Sequence, residues 1–184
     1  MFADNTLTPK EAIRLCALGT LAQADAPMRY SALANAIRHF TSRITGPSLD
    51  IMGTSIELLK YEGLVAPIDG DGMEDDAPLA LTDLGRSELT TLMTSRIRSQ
   101  GGEVNKLIAT LKLRFLHLIE STEQIRQIDL MIEAADTEIA RIDDLRDSHA
   151  NAPGYLSDWL DHDIRQLENH LQWLESLREK LCAA

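Results

Sequence analysis

The side chains best able to do chemistry are scattered through the 184-residue chain rather than gathered at one motif. Asp158 and His162 stand at i and i+4, with His170 two turns further on, so one helix face carries all three. Zinc takes such nitrogen and oxygen donors, but a carboxylate–imidazole pair on a solvated helix gives the same spacing, and no metal is expected. Asp69-Gly70-Asp71-Gly72 opens like a calcium loop, yet the length and the terminal bidentate Glu are missing. Together with Glu74, Asp75 and Asp76 it reads as a solvated acidic turn. Cys16 and Cys182 have neither metal spacing nor the density of a disulfide framework. No nucleophile–base pair, phosphate-cradling Gly loop or pair of catalytic carboxylates occurs in a recognisable setting. No enzyme and no cofactor is expected.

Hydroxyls, cations and two indoles remain. Between residues 48 and 61, Ser48, Asp50, Thr54, Glu57, Lys60 and Tyr61 fall away from the apolar stripe Met52, Ile56, Leu59. Ser, Thr and Lys reach phosphates or base edges, and Arg29, Arg38 and Arg43 lie just upstream as candidate phosphate contacts. Gly53 costs the helix ~1 kcal/mol against Ala, either as a tolerated flaw or as a point of close backbone approach. Trp159 and Trp173 are close to four helical turns apart and face similar directions. They could stack on a flat aromatic effector, or pack in a helical interface.

The elements that must position these residues are mostly helical. Hydrophobic residues make up 44% of the chain and aromatics only 4%, a balance that suits an aliphatic helical core. No apolar run approaches the ~20 residues of a membrane span, and Met1 to Lys10 has no signal-peptide centre. With two unpaired cysteines, a reduced cytoplasmic location is expected. Thr8-Pro9-Lys10-Glu11 starts a first helix with a capping box. A second helix is expected from about Tyr30 to Phe40, and a third from about Leu49 to Glu62, ended by Gly63 in a left-handed conformation. Leu64–Ala66 and Pro78–Leu81 read as a small hairpin, and Thr82-Asp83 caps a fourth helix reaching about Ser99. Three helices, a hairpin and another helix is the order of a winged helix-turn-helix, whose third helix enters the major groove with its N-terminal part.

The second half differs in kind. Val104 to Ile119 is strongly apolar, and Ser121-Thr122-Glu123-Gln124 looks like another capping box. Ile125, Ile128, Met131, Ala135, Ile139 and Ile142 then form a seam. After the turn Asn151–Gly154, Leu156, Leu160, Ile164, Leu167, Leu171, Leu174 and Leu181 keep similar spacing. Two seamed helices joined by a short turn make an antiparallel hairpin. The seam serves equally as core within one chain or as a contact with a second copy; Leu160, Ile164, Leu167, Leu171, Trp173 and Leu174 are the candidate dimer residues.

Net charge is −11, unfavourable for binding phosphate. The excess is not uniform. Up to residue 66, Lys10, Arg14, Arg29, Arg38, Arg43 and Lys60 balance Asp4, Glu11, Asp25, Asp50, Glu57 and Glu62, so the acidic surplus lies wholly beyond the first three helices.

Three stretches resemble the PadR family of winged-helix regulators: Leu18-Gly19-Thr20-Leu21-Ala22 with Ala26-Pro27-Met28, Ile56-Glu57-Leu58-Leu59-Lys60-Tyr61-Glu62-Gly63-Leu64-Val65, and Leu81-Thr82-Asp83-Leu84-Gly85-Arg86. Leu111-Lys112-Leu113-Arg114-Phe115-Leu116 and Trp173-Leu174 are similar to its AphA-like, virulence-activator branch. The chain departs from the family at Gly53, where Tyr is usual, at Tyr30-Ser31, where Gly-Tyr is usual, and in its acidic wing. The resemblance implies a mainly α protein with a small β-hairpin: a winged helix-turn-helix DNA-binding domain over 1–100 and a helical dimerisation domain over 101–184. It implies DNA and a second copy as partners, with a small-molecule effector near Trp159 and Trp173 as a further candidate. The alternative from another class is a PadR-like interaction or effector-sensing module that has lost strong DNA binding.

Overall fold

The computed structural model describes residues 6–45, 52–68, 77–97, 102–150 and 152–183, with the side chains of 52–55 left undescribed. The chain forms two compact units, 1–96 with 102–119, and 97–101 with 120–184. Among the described residues it is mainly helical, with seven α-helices and one small three-stranded sheet. No helix among them is long and apolar enough to cross a membrane.

The first unit is organised around helix α1 (Pro9–Gln23). Its start is fixed as the sequence implies. The Thr8 hydroxyl accepts from the Glu11 amide at 3.3 Å, and the Glu11 carboxylate accepts from the Thr8 amide at 2.7 Å, satisfying two otherwise orphaned donors. Every residue from Ala12 to Leu21 except Arg14 is buried, because α1 is packed on several sides: by helices α2 (Tyr30–Thr45), α3 (Met52–Tyr61), α4 (Asp83–Thr94) and α5 (Glu103–Phe115). A fully buried Leu or Ile there contributes about 2 kcal/mol by leaving water.

Helix α2 outruns its expected end at Phe40. The Thr41 hydroxyl donates to the Ile37 carbonyl at 2.9 Å, which lets a polar residue extend the buried row Leu33, Ile37, Thr41 by another turn. Helix α3 ends as expected. Gly63 has φ +72°, its amide donates to the Lys60 carbonyl, and the Leu64 amide donates to Leu59, the hydrogen bonds of a Schellman cap.

Strands β2 (Val65–Pro67) and β3 (Pro78–Leu81) pair antiparallel, Val65 opposite Leu81. A two-residue strand that the sequence reading did not anticipate, β1 (Met28–Arg29), adds to the free edge of β3 and makes the order β1-β3-β2. Two residues are too few to show a period of two. The acidic residues Asp69 to Asp76 lie outside the described residues. Thr82 then stitches α4 to this sheet: its hydroxyl accepts from the Gly85 amide at 3.0 Å and donates to the Gly63 carbonyl at 2.7 Å. A Cβ on Gly85 would strike the Leu64 carbonyl oxygen, so Gly at this place lets α4 seat directly on the chain leaving α3.

Helix α5 packs against α1 and α2 and belongs to the first unit. Gly19 makes this approach feasible, since a Cβ there would fall within the Phe115 ring. Lys112, with none of its surface exposed, donates from Nζ to the Met93 carbonyl at 2.6 Å and the Ser95 carbonyl at 2.5 Å, meeting acceptors left open at the end of α4.

The second unit holds helices α6 (Ser121–Ser148) and α7 (Leu156–Ala183), which pack on one another. The expected capping box at Ser121 does not form: Glu120 is the capping residue, with no side-chain cap bond, and its carbonyl takes the Glu123 and Gln124 amides. Ile142 packs with Leu160 and Ile164, while Asp129 accepts from Arg178 at 2.5 Å. The partners' numbers therefore run in opposite order along the two helices.

Candidate nucleic-acid interface

Helices α2 and α3 with strand β1 carry the candidate contact residues of the first unit. Arg29 is exposed on β1, opposite Pro78. Arg38 is exposed on α2, where it donates to the Asn35 side-chain oxygen at 3.0 Å, and Arg43 is exposed in the last turn. The two arginines lie on opposite flanks of the buried row Leu33, Ile37, Thr41. Lys60 is half-buried in the last turn of α3. Thr54 lies in the first turns of α3, its side chain undescribed, and Ser48 lies outside the described residues.

The outward face of α3 has its own chemistry. Ile56 and Leu59 are buried as the stripe implies, which leaves Glu57, Leu58 and Tyr61 exposed, Tyr61 to 92%. Burial, and then the Glu57 carboxylate, push the Tyr30 phenol above its ordinary value, so one acidic group acts between the start of α2 and α3. The described outer face of α3 thus offers one carboxylate, one aliphatic and one phenol, and the exposed candidate cations Arg29, Arg38 and Arg43 come from β1 and α2.

What aims α3 is a set of charged residues that sequence patterning did not single out. Arg14, on α1, donates to both Glu62 carboxylate oxygens at 2.6 and 2.9 Å and to Glu88 on α4 at 2.9 Å. Burial alone would lower the Arg14 pKa, but Glu88 and Glu62 together raise it. Arg114 sets its guanidinium 4.6 Å from the Phe40 ring centre and 4.9 Å from that of Phe115, a cation–π clamp between α5 and the middle of α2. A charged residue within a helix reads in sequence as solvent-facing; only the three-dimensional partner reveals the clamp.

In the second unit the candidate dimer residues divide. Leu160, Ile164 and Leu174 are buried within the single chain, Leu167 and Leu171 are partly buried, and Trp173 is 48% exposed. Trp159 is 57% exposed. Neither indole is absorbed by the α6–α7 packing. His170 stacks on Trp173 with ring centres 5.8 Å apart, and the His162 ring meets the Gln166 amide. Among the described residues no three His, Cys, Asp or Glu side chains converge as metal ligands would.

Compared with known proteins, residues 2–178 match a family model described as "Putative AphA-like transcriptional regulator". No curated protein matches the chain.

Proposed function

The chain belongs to the AphA-like family of transcriptional regulators, and from that premise we propose that it is a dimeric, cytoplasmic DNA-binding regulator of PadR type. In this reading the first unit is a winged helix-turn-helix: α2 and α3 are its paired helices, β2 and β3 the stem of its wing, and α4 and α5 its backing. The carrying observation is the order α1, β1, α2, α3, β2, β3, α4, with exposed Arg38 and Arg43 on the helix preceding α3. Arg29, Arg38, Arg43 and Lys60 supply phosphate contacts, while Ser48 and Thr54 read base edges. The α6–α7 antiparallel hairpin joins two copies, and Trp159 and Trp173 are the place for a flat aromatic effector.

A second reading has its own support. The exposed Glu57, Leu58 and Tyr61 on α3, together with a net charge of −11, suit a protein partner better than a phosphate backbone. The test is selection of bound fragments from genomic DNA by the full chain at two salt concentrations. Enrichment of one sequence class that weakens with salt supports the regulator. No retention even at ~50 mM salt, where screening is least, leaves the interaction module.

A further inference from the structure

The outward face of α7 repeats itself in reverse. Trp159 and Trp173 lie equally far from Gln166 along the helix, and so do His162 and His170, and Tyr155 and Leu177. Tyr155 immediately precedes α7, and the other six positions share one side of it, since steps of three and four residues keep to one helix face. The side is open in the single chain, with Trp159 at 57% and Trp173 at 48% exposure, while Leu160, Ile164 and Leu174 are buried. None of these seven residues carries a formal charge with His neutral, although Asp158, Asp163, Arg165 and Lys180 flank them.

From this we infer that α7 pairs with α7 of a second copy in antiparallel register about a two-fold axis at Gln166, setting Trp159 against the other copy's Trp173 and His162 against its His170. The inference rests on the dimer reading above and goes further, by giving the face, the direction and the register. A two-fold contact requires that when one residue meets a second, the second also meets the first, and a side chain pattern symmetric about its midpoint meets that condition with like chemistry at each crossing. A second copy also fits the charge. Two chains of net −11 repel wherever acidic surfaces meet, and the seven uncharged residues put no carboxylate at the centre of the contact. Four half-exposed indoles would remove roughly 500 Å² of surface, a substantial central share of the ~1,200–2,000 Å² a specific interface buries, and Trp is the side chain most often found as an interface anchor.

Register is testable with cysteine pairs in the full chain, using Cys182→Ser as background and diamide as oxidant. A disulfide needs Cα atoms within ~7 Å. Gln166→Cys sits on the axis and is expected to cross-link to itself. Trp159→Cys alone lies about 10 Å to one side of the axis and its symmetry mate about 10 Å to the other, so it is expected to cross-link at least tenfold more slowly; Trp173→Cys alone behaves the same way. Combining Trp159→Cys with Trp173→Cys restores fast cross-linking between copies. Self-cross-linking of Trp159→Cys as fast as that of Gln166→Cys means parallel helices and overturns the register. So does an inert Gln166→Cys variant that still sediments as a dimer. A monomer in sedimentation overturns the dimer reading itself, and the register with it.

Discussion

The ammonium of Lys112 lies 2.6 Å from the carbonyl oxygen of Met93, with no part of Lys112 reaching solvent. A residue that elsewhere on α5 would be a solvated charge here closes the end of α4, bonding the Ser95 carbonyl as well. Lys112→Met keeps the aliphatic stem and removes the donors, so two buried carbonyls lose this partner. The expected cost is about 3 kcal/mol, read as a lower urea midpoint at unchanged helix content in native buffer. A variant as stable as the parent would show that the cap contributes nothing.

The two cysteines should differ sharply in reactivity. Burial pushes the Cys16 thiol up to about 11, with the Arg114 charge pulling the other way, and the residue has no exposed surface; Cys182 is exposed. The thiolate is the reactive form, and at pH 8 Cys16 remains almost wholly a thiol. Native protein treated with iodoacetamide at that pH should take one label, at Cys182, and take the second only after denaturation. Rapid double labelling of the native chain argues against the buried α1.

Acid sensitivity is expected at the start of α1. The Thr8 amide, and then the Thr8 hydroxyl, hold the Glu11 carboxyl below its ordinary value of 4.5. A carboxyl depressed on folding stabilises above its unfolded value and loses that contribution as pH falls through its folded value. The stability difference between the parent and Glu11→Gln should therefore be flat above about pH 5.5 and shrink steadily below about pH 4.5. Thr8→Ala, which removes the cap itself, should cost about 1 kcal/mol at neutral pH.

If the first unit binds DNA, the exposed arginines of α2 must carry much of the phosphate attraction. Arg43→Ala should weaken binding to every sequence and flatten the plot of log K against log salt by ~0.9 per lost contact, or ~1.8 for a symmetric dimer. Thr54→Ala should shift the preferred sequence and leave the slope nearly intact, because a hydroxyl releases no counterion. An unchanged slope after Arg43→Ala moves the interface away from α2.

Much of the first unit was legible in sequence because its turning points depend on local chemistry. Thr8, Gly63 and, in its capping role, Thr82 act within a few residues of themselves, and each does what its type and neighbours imply. What escaped was decided by distant partners. Nothing within α5 says whether its apolar face meets α1 or α6, and the answer depends on Gly19, far back in the chain, leaving room for Phe115. The burial of Thr41 depends on a hydroxyl turning inward to Ile37, which apolar periodicity does not register. The candidate arginines Arg29, Arg38 and Arg43 are exposed as their type suggests. The candidate dimer residues of α7, by contrast, fall on two faces that the fold separates: Leu160, Ile164 and Leu174 are buried within the chain, and Trp173 is left outside it.

Helix α3 is clamped at its finish. Arg14 grips Glu62, the Thr82 hydroxyl reaches the Gly63 carbonyl, and the Leu64 amide bonds back to Leu59, all within one turn of the helix end. With Ile56 and Leu59 also buried, the helix is held over its second half, and small rotations there become displacements at its start. Over the ~15 Å of a ten-residue helix, a tilt of about 4° at the clamp moves the first turn by about 1 Å, enough to break a hydrogen bond of ordinary length. Arg14, part-buried on α1 and far along α3 from the turn around Thr54, thus holds the lever by which core changes re-aim that turn.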